Sequence, residues 1–332
     1  MPAKAGIQGE CGLVALDSRL RGSDGYGFLL MATVPLAEIG HLEAVLTPSP
    51  GALLRRRVFG HAGLMIGLGI LAAIFFLAFA APLIAPHDPY DQDLARRLIP
   101  PLWHDKGTWT HPLGTDGLGR DYLSRLIYGS QISLLIGFAV MAISGIIGLL
   151  LGISAGYFGG KVDMAVTFIV TTRLSMPVVL VALAVVALFG GSLTVVILVL
   201  GLLKWDRFAV VIRGATQQVR ALDYVAAAEA AGASSVRILF AEILPNIMNH
   251  LIVVATLEMA SAILLEAALS FLGLGVQPPL PSWGLMISEA KSFMFFSFWL
   301  IAIPGVALSL LVLAINLVGD GIRDVTAPEN RA

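Results

Sequence analysis

Two acidic residues, Glu258 and Glu266, lie in an otherwise apolar stretch in the C-terminal half of the chain. Their spacing of eight residues places the side chains about 80° apart around a helix. A charge near the centre of a bilayer costs about 2.5–3.5 kcal/mol on insertion scales, so such groups face a bundle interior or water. Two roles fit this position: lining or gating a solute pathway, or hydrogen bonding between helices.

A second candidate is the polar segment 223–246, in which an alanine-rich run is followed by one glycine. Residues 226–231 favour a helix, and Gly232 is the residue type that ends or bends one. Pro245 marks the start of the next apolar helix. Before it, a second short helix is predicted to carry three apolar residues on one face, namely Val236, Leu239 and Phe240. Such a unit presents small side chains to the groove of a partner protein; the alternative is a plain amphipathic connector.

No other motif indicates covalent or metal chemistry. The Gly-Gly-Lys at 159–161 is followed by Val162, where a phosphate-binding loop requires Ser or Thr. The six histidines show no paired ligand spacing, Cys11 is the single cysteine, and Ser270 lies outside a nucleophile elbow. We therefore expect no catalytic residue, no metal and no cofactor on this chain. Energy for uphill transport would come from another subunit or from an ion gradient.

The composition indicates which elements hold these residues. Of 332 residues, 57% are hydrophobic and only 13% are charged, and the mean hydropathy is +0.87. Soluble domains carry about 25% charged residues, which excludes an ordinary soluble enzyme. A disordered chain needs the opposite composition. The 21 basic and 22 acidic residues leave no basic excess for binding nucleic acid.

Long charge-free stretches predict an all-α polytopic membrane protein. A spanning helix needs about 20 mainly apolar residues, and runs this long are not the short alternating strands of a barrel. Six spans are predicted, near 59–81, 131–156, 164–189, 192–213, 247–271 and 297–318.

Basic residues beside the first span predict the orientation. Arg55, Arg56 and Arg57 precede it, which places the N-terminus in the cytoplasm. With six spans the C-terminus is cytoplasmic as well. The segment 214–246 then lies on the cytoplasmic side, and the 86–130 loop lies outside.

The chain is predicted to divide into four parts. These are an N-terminal cytoplasmic tail at 1–54, the first helix and external loop at 55–130, a five-helix core at 131–325 and a short tail at 326–332. The first part lacks the order of a signal peptide. Its repeat-like composition favours a translation start downstream at Met31, with a flexible tail as the alternative.

Glycines spaced by four residues predict close helix packing in lipid. Gly148, Gly152 and Gly156 form one such series on the second span, and Gly63 and Gly67 form another on the first. The signature at 111–129 has glycines suited to tight turns and then apolar residues on one helical face. It is predicted to be an interfacial elbow leading into the second span, with a ligand site as the alternative.

The polar segment resembles the EAA loop of ABC-transporter permeases of the binding-protein-dependent import class. That pattern is Glu-Ala-Ala, three residues, Gly, nine residues, and Ile-x-Leu-Pro. With its glycine on Gly232, the Glu-Ala-Ala falls on 226–228 and Leu-Pro on 244–245. Two positions depart from the pattern, since Ala226 replaces the signature Glu and Glu242 replaces Ile; Glu229 lies one helical turn further on.

Further segments between 55 and 328 look like the C-type permease subunit of dipeptide, oligopeptide and nickel importers. They are Ala81-Pro-Leu-Ile-Ala-Pro-His-Asp-Pro89, the 111–129 signature, Glu266-Ala-Ala-Leu-Ser-Phe-Leu-Gly273 with its extension to 279, Pro281-Ser-Trp-Gly284 and Leu317-Val-Gly-Asp-Gly-Ile-Arg-Asp324. Glu266 matches a residue type of the family, whereas Glu258 matches no signature.

The resemblance implies a type I importer fold in a bacterial inner membrane, with a cytoplasmic coupling helix. The implied partners are a B-type permease, two ATPase subunits that hold ATP and Mg²⁺, and a solute-binding protein. The implied cargo is dipeptides or oligopeptides, and the alternative cargo is nickel or another small solute. A separate alternative for the mechanism is a secondary transporter. The implied ATPase contact is Tyr224, Ala226, Ala227, Ala228, Glu229, Gly232, Ala233 and Pro245.

Overall fold

The computed structural model describes residues 50–326, with side chains described at 51 and 55–326. The chain divides into two units, Met1–Arg56 and Arg57–Ala332. The helices in chain order are α1 (Pro50–Gly60), α2 (Ala62–Phe79), α3 (Ala81–Ile84), α4 (Tyr122–Phe158), α5 (Gly160–Leu174), α6 (Val178–Phe189), α7 (Leu193–Leu203), α8 (Asp206–Arg220), α9 (Asp223–Ala230), α10 (Ser235–Arg237), α11 (Leu244–Phe271), α12 (Trp283–Ala290) and α13 (Trp299–Thr326). No strand occurs within the described part of the chain.

Four helical stretches are long and apolar enough to cross a membrane. They are α2, α4, α13 and the continuous stretch Ser235–Phe271, which includes α11. They correspond to four of the predicted spans, near 59–81, 131–156, 247–271 and 297–318. A core of buried residues fills the space where α4, α11, α12 and α13 meet, as at Leu134, Ile263 and Leu308. The expected all-α polytopic architecture is confirmed.

The other two predicted spans are interrupted. The span near 164–189 is the pair α5 and α6, bent by 80°. The break occurs at Pro177, the N-cap of α6. The residue before a proline avoids helical geometry, and proline is favoured at the start of a helix, so one helix ends here and the next begins. The span near 192–213 is divided into α7 and α8 at Lys204 and Trp205. Two charged residues, Lys204 and Asp206, lie at that break. The apolar residues on both sides of them led to the prediction of one continuous span.

The predicted glycine series brings α4 against α8. A Cβ at Gly152 would lie 2.8 Å from the Ala209 carbonyl oxygen, and one at Gly156 would lie 2.6 Å from Thr216 Cβ. A Cβ at Gly148 would lie 2.6 Å from the carbonyl oxygen of Trp205. Only glycine permits these backbones to approach so closely. The packing prediction is therefore confirmed for this series.

The glycines of α2 behave differently from each other. A Cβ at Gly67 would lie 2.9 Å from the Ala314 carbonyl oxygen on α13, so this contact requires glycine. At Gly63 the nearest atom of another helix is Leu317 Cδ2 at 3.7 Å, which is an ordinary contact. The prediction of close packing holds at Gly67 and is wrong at Gly63.

The elbow predicted for 111–129 is not a separate amphipathic helix. Its helical part is the first two turns of α4, which runs unbroken from Tyr122 to Phe158. Tyr122 and Ile127 are buried as expected, but Ser124 and Arg125 on the other faces are buried too. The preceding loop and α12 cover those faces, and this covering cannot be read from helical periodicity.

Candidate functional site

The polar segment forms a helix, a turn and a second helix, as predicted. Helix α9 ends at Ala230, and Gly232 has a φ of +80°, the left-handed conformation that glycine adopts without strain. A Cβ at Gly232 would find no neighbour within 4 Å. The glycine is therefore needed for the turn geometry and leaves open space around it.

Val225 is the fully buried residue of α9 and anchors this helix to the rest of the molecule. Val225 is 1% exposed and belongs to a buried cluster with Tyr157, Ile238 and Ile243. Tyr224 is 39% exposed, and the side chains of Ala226, Ala227 and Glu229 face outward, while Ala228 and Ala233 are partly buried. The outward face of α9 therefore consists mainly of small side chains. We call this face, together with Gly232, the coupling surface, after the role that the sequence analysis predicts for it.

The second helix adds exposed apolar groups beside it. Val236 and Phe240 are 65% and 66% exposed, whereas Leu239 packs against the buried cluster of Val225. Of the three residues predicted to lie on one face, only Leu239 is turned toward the protein interior. Exposed Val236 and Phe240 are available to a partner.

A π-helix at Ile238–Ile243 joins α10 to α11. Pro245, in the first turn of α11, has no N–H group, and its ring would clash with the carbonyl four residues earlier in a regular helix. The wider turn relieves this clash, and the Leu244 N–H bonds to the Leu239 carbonyl. Pro245 itself is exposed. The predicted helix start at this proline is thus a change of helix type within one continuous stretch.

Glu258 is buried and lies in a charge cluster. Its Oε2 is 2.7 Å from Lys204 Nζ, and its Oε1 accepts a hydrogen bond from Arg207 Nη1 at 3.3 Å. Lys204 Nζ also donates a hydrogen bond to Ser261 Oγ at 2.8 Å. These residues line a cavity of about 330 Å³, which we call the Glu258 cavity. It lies beside the break between α7 and α8.

Glu266 has a different environment. Its Oε1 accepts hydrogen bonds from Ser270 Oγ at 2.7 Å and from Ser282 Oγ at 3.2 Å. Ser282 also caps α12, because its Oγ accepts from the Leu285 N–H. Glu266 therefore ties α11 to the start of α12. Both glutamates are 1% exposed, as expected, but the structure does not bring them into one site.

Sequence reasoning missed a second charge cluster, at the N-terminal end of α4. Arg125, 1% exposed, lies 2.7 Å from Glu289, and Arg120 lies 2.7 Å from Asp116 and 3.0 Å from Glu289. Arg125 also pairs with Asp116. Two arginines and two carboxylates thus balance in charge. The arginines and Asp116 are in the 111–129 signature, but nothing in the sequence links them to Glu289 on α12.

The charges of this cluster perturb the pKa of Asp116. Burial alone would raise it, but the guanidinium groups of Arg125 and Arg120 hold it below its ordinary value. Backbone N–H groups of Arg120 and Leu118 also donate to this carboxylate. Asp116 is therefore a permanent anion at neutral pH.

Comparisons with known proteins agree with these features. A family model described as binding-protein-dependent transport system inner membrane component matches residues 148–331. A second model, the N-terminal TM domain of oligopeptide transport permease C, matches residues 49–101.

Curated relatives align along most of the chain. A di/tripeptide transport system permease protein DppC of Pseudomonas aeruginosa is 41% identical over 85% of this chain and 93% of its own. A dipeptide transport system permease protein DppC of Escherichia coli K12 is 43% identical over 80% of this chain and 89% of its own.

The fold also has a solved counterpart. Two inward-facing structures of the MetNI methionine ABC transporter match with TM-scores of 0.51 and 0.53, at 20% identity. They cover 61% and 62% of this chain and nearly all of the matched chain. The family model spans more than half of this chain, and relatives above 40% identity cover four-fifths of it or more. The chain is therefore a member of the family of binding-protein-dependent transport system inner membrane components.

Proposed function

We propose that this chain is one permease subunit of an ATP-driven importer of dipeptides and short oligopeptides in a bacterial inner membrane. The observation that carries the proposal is the 41–43% identity to dipeptide permeases over 80–85% of the chain. A B-type permease would complete the pathway, and a solute-binding protein would deliver the peptide. The helix and the Gly232 turn expected for the coupling surface are both present. Their absence would have contradicted this assignment.

The coupling surface is where one ATPase subunit would dock. An exposed helix of small side chains fits a groove without steric conflict, and exposed Val236 and Phe240 supply apolar area beside it. Ala226 lacks the carboxylate of the family pattern. Glu229 supplies one a turn later, and its Oε1 lies 3.5 Å from the Tyr157 hydroxyl on α4. ATP and Mg²⁺ would be held by the ATPase subunits, where hydrolysis takes place.

The side of the membrane follows from the basic residues beside the first span. Arg55, Arg56 and Arg57 favour a cytoplasmic N-terminus. The coupling surface and the C-terminus then lie in the cytoplasm with the ATPases. The loop before α4 lies outside, where the solute-binding protein docks.

The Glu258 cavity is the part of this chain that we assign to the peptide pathway. It contains both signs of charge, with Glu258 facing Lys204 and Arg207. A peptide zwitterion carries an ammonium group and a carboxylate, which these side chains complement. Arg207 is 67% exposed, so its guanidinium can meet a carboxylate at modest cost. The alternative is that the ion pair of Arg207 on α8 with Glu258 on α11 has only a structural role.

Reconstitution tests the proposed function directly. The chain is co-expressed with partner permease, ATPase and solute-binding subunits, and the purified complex is placed in proteoliposomes. Uptake of a labelled dipeptide is expected only with ATP and Mg²⁺, and unlabelled dipeptide should compete where Ni²⁺ does not. Competition by Ni²⁺ alone would make this a nickel permease. Uptake driven by an ion gradient without ATP would contradict the importer assignment.

A matched pair of substitutions tests the pathway assignment. Glu258→Gln should lower dipeptide uptake about tenfold or more, because a hydrogen bond to a charged group contributes about 1.5–3 kcal/mol. Glu266→Gln, the same change eight residues away on α11, should leave uptake within about twofold, since its amide oxygen still accepts from both serines. ATPase co-purification should be normal in both variants. Equal uptake by the two variants would assign Glu258 to structure alone.

A further inference from the structure

Three metal-binding side chains meet at the N-terminal end of α4, outside the two charge clusters described above. They are His87, which follows α3, His111 in the loop, and Asp121, the N-cap of α4. Their ligand atoms all lie within 4.8 Å of one another. The sequence separates these residues by 24 and 10 positions, so ligand spacing gave no sign of the group.

The geometry of this group is close to that of a metal centre. Asp121 Oδ1 is hydrogen-bonded to His111 Nδ1 at 2.9 Å, a contact that an ion between them would replace and widen, and it lies 3.7 Å from His87 Nδ1. Ligands about 2.0–2.2 Å from a tetrahedral Zn²⁺ are about 3.4 Å apart, which lies between these two distances. His87 is 40% exposed and can adjust, whereas His111 and Asp121 are 7% and 1% exposed and are held by packing.

Surrounding hydrogen bonds orient the ligands. Asp121 Oδ2 accepts from the Ser124 N–H at 2.8 Å and from Ser124 Oγ at 2.7 Å, which turns Oδ1 toward the imidazoles. The backbone N–H of His87 donates to the same Ser124 Oγ at 3.1 Å. Such outer contacts are what hold first ligands in place in metal proteins.

The His111 ring faces the group with one of its two nitrogens, Nδ1. Its Nε2 is buried and has no hydrogen-bond partner among residues 50–326. The polar contacts of this buried ring are therefore on its Nδ1 side, where Asp121 and His87 lie. The two rings are 4.8 Å apart between centroids, so a single ion can reach a nitrogen of each.

We propose that His87, His111 and Asp121 form a binding site for a divalent transition-metal ion, with Zn²⁺ as the best fit. Two imidazoles and one carboxylate are the donor set that suits Zn²⁺, and a water molecule would complete the tetrahedron. The ion ties the residues after α3 and the middle of the loop to the first turn of α4. It therefore fixes the loop at the opposite end of α4 from the coupling surface.

Zinc titration of the full chain tests this site. The chain is purified in detergent with an affinity tag that contains no histidine, stripped with EDTA, and titrated with Zn²⁺ in a calorimeter. Wild type should bind one more zinc ion per chain than His87→Gln, or bind it about tenfold or more tightly. Zinc should raise the Tm of wild type and leave that of His87→Gln unchanged, because an ion that binds only the folded state stabilises it.

The matched control is His104→Gln, which alters another exposed histidine of the same loop outside the group. It should bind zinc as wild type does. X-ray absorption at the zinc edge should show nitrogen and oxygen ligands at about 2.0–2.1 Å. No zinc binding by wild type, or equal binding by wild type and His87→Gln, would overturn the proposal and leave the three residues as a hydrogen-bonded cap of α4.

Discussion

Replacing Gly232 with tryptophan is expected to abolish ATP-driven uptake while the chain still folds and inserts. A side chain at this position meets no neighbour within 4 Å in this chain. The remaining cost is the left-handed backbone at φ +80°, about 1–2 kcal/mol. A subunit seated on the coupling surface would collide with the indole. The measurements are dipeptide uptake by proteoliposomes and the amount of ATPase subunit that co-purifies.

Gly273 provides the control for this experiment. It has a φ of +82° and equally open surroundings, but it follows the other end of α11, remote from the coupling surface. Gly273→Trp should therefore retain the ATPase subunits. If Gly232→Trp also retained them and transported normally, the coupling role would be wrong. Equal loss of ATPase from both variants would point to backbone strain and would equally contradict a docking role.

Replacing Arg125 with methionine is expected to lower the free energy of unfolding by about 3–5 kcal/mol, the cost of breaking a buried ion pair. Arg125 is 1% exposed, and its loss leaves Asp116 and Glu289 to share one cation, Arg120. The buried cluster then carries a net negative charge. The measurement is the Tm of the purified chain in detergent.

Two further variants separate charge balance from packing. Arg125→Met with Glu289→Gln restores a neutral cluster and should recover a large part of the lost stability. Arg96→Met breaks an exposed pair with Asp93 and should cost about 1 kcal/mol or less. A double variant as unstable as Arg125→Met alone would show that lost packing is the cause.

The Arg125→Met variant should also differ from wild type in how its Tm depends on pH. Because the folded-state pKa of Asp116 is lowered, its ionised form stabilises the fold above its ordinary pKa, and this contribution is lost as pH falls through the lowered value. Without Arg125 the folded-state pKa rises. The acid-induced fall in Tm should therefore begin at a higher pH in Arg125→Met than in wild type.

The sequence predicted the elements that depend on local pattern. Apolar runs located the helix that holds both Glu258 and Glu266, and the glycine series predicted the contact of α4 with α8. The turn at Gly232 followed from residue type, since few other residues adopt a positive φ. These features are encoded within a few residues of where they occur, so one sequence is enough to find them.

The features that sequence reasoning missed depend on distant residues. Arg125 meets Glu289 across 164 positions, and His87 meets Asp121 across 34, and neither pairing leaves a periodic signal. The α5–α6 pair broken at Pro177 is apolar enough to match a single span, whereas the predicted span broken at Lys204 contains charged residues. At the second break, the charge of Lys204 is paired with Glu258 of another helix, a partner that the local pattern does not reveal.

The length of α4 links two regions that the chain otherwise keeps apart. At about 1.5 Å per residue its 37 residues extend about 55 Å, well beyond the 30 Å of a hydrocarbon core. Asp121 caps its N-terminal end and Arg125 lies in its first turn, while Tyr157 in its last turn belongs to the buried cluster of Val225 beneath the coupling surface. One continuous helix thus joins the two ends, and any coupling between binding events at these ends is reciprocal by thermodynamic necessity. Under the proposed function, the free energy that nucleotide binding by the ATPases contributes to docking of the solute-binding protein would be returned by that docking to nucleotide binding.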